Sequence, residues 1–128
     1  MDQQNTQQSL ILFAHGARSA TWAVPFEKLR DLTAARLPQV QVRLAFLELM
    51  SPRLPEVVSE LVATGVTQMT VVPVFLGQGG HVMRDLPLMV EELHASYPQI
   101  AIKVVEAAGE NAAVLNALSD YCVASLPV

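Results

Sequence analysis

Three residues carry most of the chemistry this chain offers. His15 follows an aliphatic run (LILFAHG), Glu48 closes another (AFLE), and His81 ends a glycine-rich stretch that begins at Phe75 (FLGQGGH). Neutral imidazole suits cobalt, nickel, iron and zinc, and it accepts a proton near neutral pH, while a carboxylate adds charge neutralisation. Brought together, the trio makes a site for a divalent ion, but the residue types select no one metal, because raw affinity follows the ion more than the site. From the residues alone each histidine keeps a second interpretation. His15 can simply end a buried strand, and His81 can simply decorate a turn. His94, beside Glu91 and Glu92 in a helical stretch, reads as a solvated surface residue and stays outside the site.

Around these residues several chemistries can be set aside. Gly77, Gly79 and Gly80 match neither GxxxxGK[ST] nor GxGxxG, so nucleotide binding has no support; they suit a sharp turn, flexibility, or close approach of bare backbone to a flat ligand. No GxSxG elbow is present, which leaves a serine hydrolase without its nucleophile. Cys122 is the single cysteine, so neither an intrachain disulfide nor a thiolate cluster can form, and its place in a helical apolar pattern predicts core packing. A net charge of −4 with 16% charged residues is not the balance of a phosphate-backbone binder, so no nucleic-acid partner is expected. Arg18 and Arg84 each follow a site histidine by three residues and can give a polycarboxylate ligand a positive rim.

The elements that must hold these residues alternate. Runs rich in aliphatic and β-branched residues, Leu10 to Ala14, Val40 to Leu47, Met69 to Phe75 and Ile100 to Glu106, predict four strands. Helical spacing follows each: Trp22, Phe26, Leu29, Thr33 and Leu37; then Leu54, Val57, Val58 and Leu61; then Leu86, Met89, Val90, Leu93 and Tyr97; then Val114, Leu118 and Tyr121. Ser51 is expected to cap a helix that opens at Pro52 and stops before Gly65, Asp85 to cap one that opens at Leu86, and Pro38 and Pro98 to close two others. The order βαβαβαβα implies a three-layer α/β fold, a four-stranded parallel sheet flanked by helices. The strand order expected for it is the flavodoxin-like 2-1-3-4. Pro73 cannot donate to a ladder, so a bulge or an early strand end is expected there. In such sheets ligands bind beyond the carboxyl ends of the strands, where His15, Glu48 and the loop to His81 all fall.

At 128 residues the chain has the size of one domain, expected over residues 9–128 after a disordered polar stretch at 1–8. That stretch lacks the Lys and Arg of a secretory leader, and LILFA is too short to span a bilayer; a cytoplasmic protein without membrane association is expected.

The wording of the strand ends is also distinctive. HG after the first strand, AFLE at Ala45 to Glu48 before a proline-started helix, and VVPVFLGQGGHVMRDLP at Val71 to Pro87 together resemble the short CbiX-like sirohydrochlorin chelatases, class II tetrapyrrole chelatases, over roughly residues 9 to 110. The resemblance implies a chelatase (lyase) that inserts a divalent metal into sirohydrochlorin in tetrapyrrole and cobalamin biosynthesis, cobalt first, with iron or nickel as other ions. It implies His15, His81 and Glu48 as catalytic residues and metal ligands, with Arg18, Phe75, Leu76, Gly79, Gly80 and Arg84 around the tetrapyrrole. The metal is then substrate, no cofactor is permanently bound, and two copies pair as a homodimer, each corresponding to half of a larger two-domain chelatase. Many members read HGS at the first motif where this chain has Ala17, so a hydroxyl near the site is missing. The alternative is a carrier that binds a metal or a tetrapyrrole without inserting one into the other.

Overall fold

The computed structural model describes residues 7–77 and 79–127, with His81 and Met83 described by their backbone alone. Residues 1–6 of the expected disordered stretch lie outside the described residues, and Gln8 already belongs to the first strand. Strands β1 (Gln8–Ala14), β2 (Gln41–Phe46), β3 (Gln68–Pro73) and β4 (Ala101–Val104) form one parallel sheet in the order β2-β1-β3-β4. Helices α1 (Val24–Arg36), α2 (Leu54–Ala63), α3 (Gly80–Ser96) and α4 (Ala112–Ala124) follow the strands in turn. Short 3-10 turns at Ala20–Ala23 and Ala108–Glu110 lead into α1 and α4. The parallel architecture is the one expected from the alternation of patterns, and the strand order is the expected 2-1-3-4. Among the described residues no helix is long and apolar enough to cross a membrane.

The central strand explains itself by burial. In β1, Ile11 and Phe13 are fully buried on one face, and Leu12 and Ala14 are 4% exposed or less on the other. On the first face α2 and α3 supply Leu54, Val57, Val58, Leu61, Leu86 and Leu93, and each such side chain removed from water contributes about 1.5–3 kcal/mol. On the second face α1 lies over β1 and β2, and Trp22 stacks against Phe26 at 4.7 Å beside Phe46.

Pro73 is the last residue of β3, paired with Phe13, so the strand ends early and short of Phe75. The amide of Val74 still donates to the Phe13 carbonyl at 2.9 Å, which keeps the chain running beside the end of β1.

Two helix starts differ from expectation. The second helix does not open at Pro52 under a Ser51 cap. The Pro52 carbonyl accepts the Phe46 amide and Arg53 bridges to Phe46, which keeps this segment extended beside β2. The helix begins at Leu54 with Arg53 as its cap, and Glu56 reaches back to the Arg53 amide at 2.6 Å. The third helix opens at Gly80, so Asp85 lies inside it and Pro87 is an interior proline. Val82 and Leu86, one turn apart, are 2% and 7% exposed on the packed face, and that burial carries the helix through the proline. The fourth helix buries none of its residues, and Cys122 is exposed instead of packed in the core.

Candidate functional site

The ends of β1 and β2 stay paired beyond the regular strands. Leu47 donates its amide to the Ala14 carbonyl at 2.9 Å, and Glu48 donates to the His15 carbonyl at 3.2 Å, which sets the two side chains next to each other. The chain can leave this pairing because of the residue after the histidine. Gly16 has φ +99°, and a β-carbon there would stand 1.9 Å from the Glu48 carbonyl oxygen, so only glycine fits both the turn and the close approach. Leu49, immediately after Glu48, also takes a positive φ of 69° and turns the second chain away.

Nε2 of His15 lies 3.1 Å from Oε2 of Glu48. The two side chains are 43% and 41% exposed, and an ion pair that open to water contributes little to stability. The pair is better suited to chemistry. Two donor atoms at that spacing can occupy neighbouring positions about one divalent ion whose ligands sit at roughly 2.0–2.2 Å.

The third strand end forms the adjoining wall. Phe75 is half-buried and packs edge-on against Phe13 with ring centroids 6.5 Å apart. Leu76 next to it is 61% exposed. The loop is clamped from the chain that leaves the neighbouring strand β4: Gly109 donates its amide to the Phe75 carbonyl at 3.1 Å, and a β-carbon at position 109 would lie 1.8 Å from the Leu76 carbonyl oxygen. Gly77, Gly79 and Gly80 do not serve a sharp turn, since none has a positive φ and a β-carbon at each would meet open space. What they provide is uncovered backbone at the mouth of the site.

His81 is the second residue of α3, and its side chain lies outside the described residues, as does Gln78. Arg18 is exposed on the chain leaving His15, and Arg84 is exposed on α3, where its Nε is 3.5 Å from the Asp85 carboxylate. Of the residues expected at the site, the structure thus joins His15 to Glu48 and seats Phe75 against the end of β1. Glu48 also borders a hollow of ≈ 350 Å³ lined by Arg53, Asp85, Met89 and Glu92. Arg53 and Asp85 were not expected there: Asp85 looks like a helix cap in sequence, and Arg53 carries no pattern that marks it. Gly109 was missed as well, since an isolated glycine in AAGENAA gives no sign of what approaches it. Among the described residues no group of three or more His, Cys, Asp or Glu is gathered, and the described donors of the site are His15 and Glu48.

The CbiX family model matches residues 9–123 of this chain. The chain belongs to the CbiX family. Among curated relatives, the sirohydrochlorin cobaltochelatase of Methanosarcina acetivorans is 32% identical over 78 residues, covering 61% of this chain and 60% of that protein. The one from Methanopyrus kandleri is 33% identical over 82 residues, covering 64% and 57% respectively. The aligned part of this chain therefore spans less than two-thirds of these curated relatives. The crystal structure of a CbiX protein from Marinobacter aquaeolei superposes with a TM-score of 0.81 at 35% identity, over 91% of this chain and 95% of that one. The Bacillus subtilis sirohydrochlorin chelatase SirB, solved in complex with cobalt, shares the fold at a TM-score of 0.77 and 23% identity, with 93% of this chain covering 51% of it. Four parallel strands in the order seen here, closed by helices, are thus the CbiX fold.

Proposed function

We propose that this CbiX-family chain is a chelatase that inserts a divalent metal ion into sirohydrochlorin, with cobalt as the ion, in the cytoplasm. The observation that carries the proposal is the His15–Glu48 pair, 3.1 Å apart and half-open to water at the carboxyl edge of the sheet. Relatives named sirohydrochlorin cobaltochelatase and a neighbour of the same fold solved with cobalt support the choice of reaction and ion.

Metal insertion demands three things of the protein: stripping water from the ion, removing two pyrrole N–H protons, and presenting the macrocycle face-on. His15 and Glu48 receive the ion and replace part of its hydration. His81, at the start of α3, is the second imidazole; one of the two histidines takes one pyrrole proton, and the other goes to Glu48 or, where Glu48 stays ionised to balance the ion's charge, to water. The bare backbone at Gly79 and Gly80, with Phe75 and the exposed Leu76, forms a flat apolar wall for the ring, and Arg18 and Arg84 meet its carboxylates. The metal is a substrate with no permanently bound cofactor, and the working unit is a pair of identical chains.

Initial insertion rates with Co²⁺, Fe²⁺ and Ni²⁺, followed anaerobically through the absorbance of sirohydrochlorin, test the proposal. All three ions should be inserted above their spontaneous rates, cobalt fastest. Saturable binding of metal and tetrapyrrole with no rate above the spontaneous one would make the protein a carrier instead.

A further inference from the structure

The loop over residues 47–52 holds an exposed leucine in a backbone conformation that leucine disfavours. Leu49 is 57% exposed at a φ of 69°, and among the described residues it is the one residue other than glycine with a positive φ. An exposed leucine is by itself ordinary. In the left-handed region it is not, because glycine takes that conformation freely and asparagine tolerates it, while a bulky side chain is crowded by its own backbone. The neighbours of Leu49 gain burial from the fold: Leu47 is 3% exposed, and Met50 packs against the cluster around Phe46. Leu49 gains none, so packing within the chain does not account for a leucine here.

The loop is fixed at both ends. Glu48 donates its amide to the His15 carbonyl, Phe46 donates to the Pro52 carbonyl at 2.9 Å, and Nε of Arg53 donates to the Leu47 carbonyl at 3.3 Å. Closed in this way, the loop holds Leu49 at the carboxyl edge of the sheet, directly after the carboxylate that meets His15. Strained residues that the surrounding structure over-determines cluster at ligand clamps. The position also has a counterpart. Strands β2 and β3 flank β1 on its two sides, and Leu76, beyond the end of β3, is 61% exposed. Neighbouring strands lie about 4.8 Å apart, so the chains carrying the two leucines leave the sheet roughly 10 Å from each other, with the His15 strand between them. A macrocycle of four pyrroles reaches across that span.

We propose that Leu49 binds the tetrapyrrole: with Leu76 on the other flank it supports the apolar face of the ring, so that the centre of the ring, where the metal enters, comes to rest over His15. The carboxylates of the ring lie on its rim, so an aliphatic side chain meets the face alone and sets how the ring is seated. The inference rests on the proposed chelatase function and adds a residue that decides substrate affinity without being a metal donor.

Fluorescence titration of metal-free sirohydrochlorin tests it, with wild type, Leu49→Asn, Leu49→Gly and Leu49→Met. Asparagine and glycine both accept the left-handed backbone, so both variants should fold, as read by urea unfolding, and both should bind Co²⁺ with the wild-type affinity in calorimetry. Their affinity for sirohydrochlorin should fall about tenfold, the scale of a lost aliphatic contact, while Leu49→Met, which keeps an apolar side chain of similar volume, should stay within about twofold of wild type. In the insertion assay the same loss should appear as a raised KM with kcat near wild type. Asparagine and glycine variants that bind sirohydrochlorin as tightly as wild type would overturn the role of Leu49 and leave the chelatase reading standing; a wild type that binds no sirohydrochlorin would overturn both.

Discussion

Gly16 passes so close to Glu48 that a β-carbon on it would lie 1.9 Å from the Glu48 carbonyl oxygen, and this approach is what holds His15 beside the carboxylate. Gly16→Ala adds that carbon at a φ of +99°, so the two strand ends must part. The expected cost is about 1–3 kcal/mol of folding stability, measured by urea unfolding, with Co²⁺ affinity falling at the same time. Unchanged stability would mean that the backbone gives way more easily than this contact implies.

Glu48→Gln keeps the shape of the pair and removes its charge. Metal binding should weaken by roughly 10- to 100-fold in calorimetric titration with Co²⁺, the range in which partners of a ligating histidine act. The fold should be unaffected, because an ion pair this exposed adds little to stability.

Gly109→Ala acts on the loop and not on the proposed metal donors. The added carbon would sit 1.8 Å from the Leu76 carbonyl oxygen and push the Phe75–Gly77 segment out of place. A displacement of about 1 Å can cost on the order of 10²-fold in rate, so insertion should slow strongly while Co²⁺ affinity at His15 and Glu48 stays near wild type. Parallel rate and binding measurements separate the two effects.

Leu61 is fully buried between α2 and the sheet. Leu61→Ala should lower the unfolding free energy by about 2–5 kcal/mol without changing the order of metal preference, as read by urea denaturation and by insertion rates on the folded fraction.

Much of this could be read from the chain before its structure, and the exceptions share a cause. Runs such as LILFA and VVPV alternate with helical spacing because both faces of a parallel sheet must be covered, so strand number and parallel pairing follow from local pattern, whereas the order of the strands depends on long-range packing that no local run encodes. His15 and Glu48 were foreseeable as neighbours because the carboxyl ends of adjacent parallel strands share one edge. The start of α3 was not. Asp85-Leu86-Pro87 has the composition of a helix opening, and only the burial of Val82 against the core shows that the helix begins a turn and a half earlier. Gly109 escaped notice because its role depends on Leu76, a residue on a different loop. Cys122 and the apolar stripe of α4 looked like core, since periodicity reports that a face is apolar but not what lies against it.

The central claim, that His15 and His81 at the carboxyl edge of the sheet catalyse metal insertion, is tested most directly by anaerobic mixing of sirohydrochlorin and Co²⁺ with wild type, His15→Ala and His81→Ala. Wild type should exceed the spontaneous rate, and each variant should fall by about 10²- to 10⁴-fold toward it. Either histidine variant inserting cobalt at the wild-type rate would contradict the account.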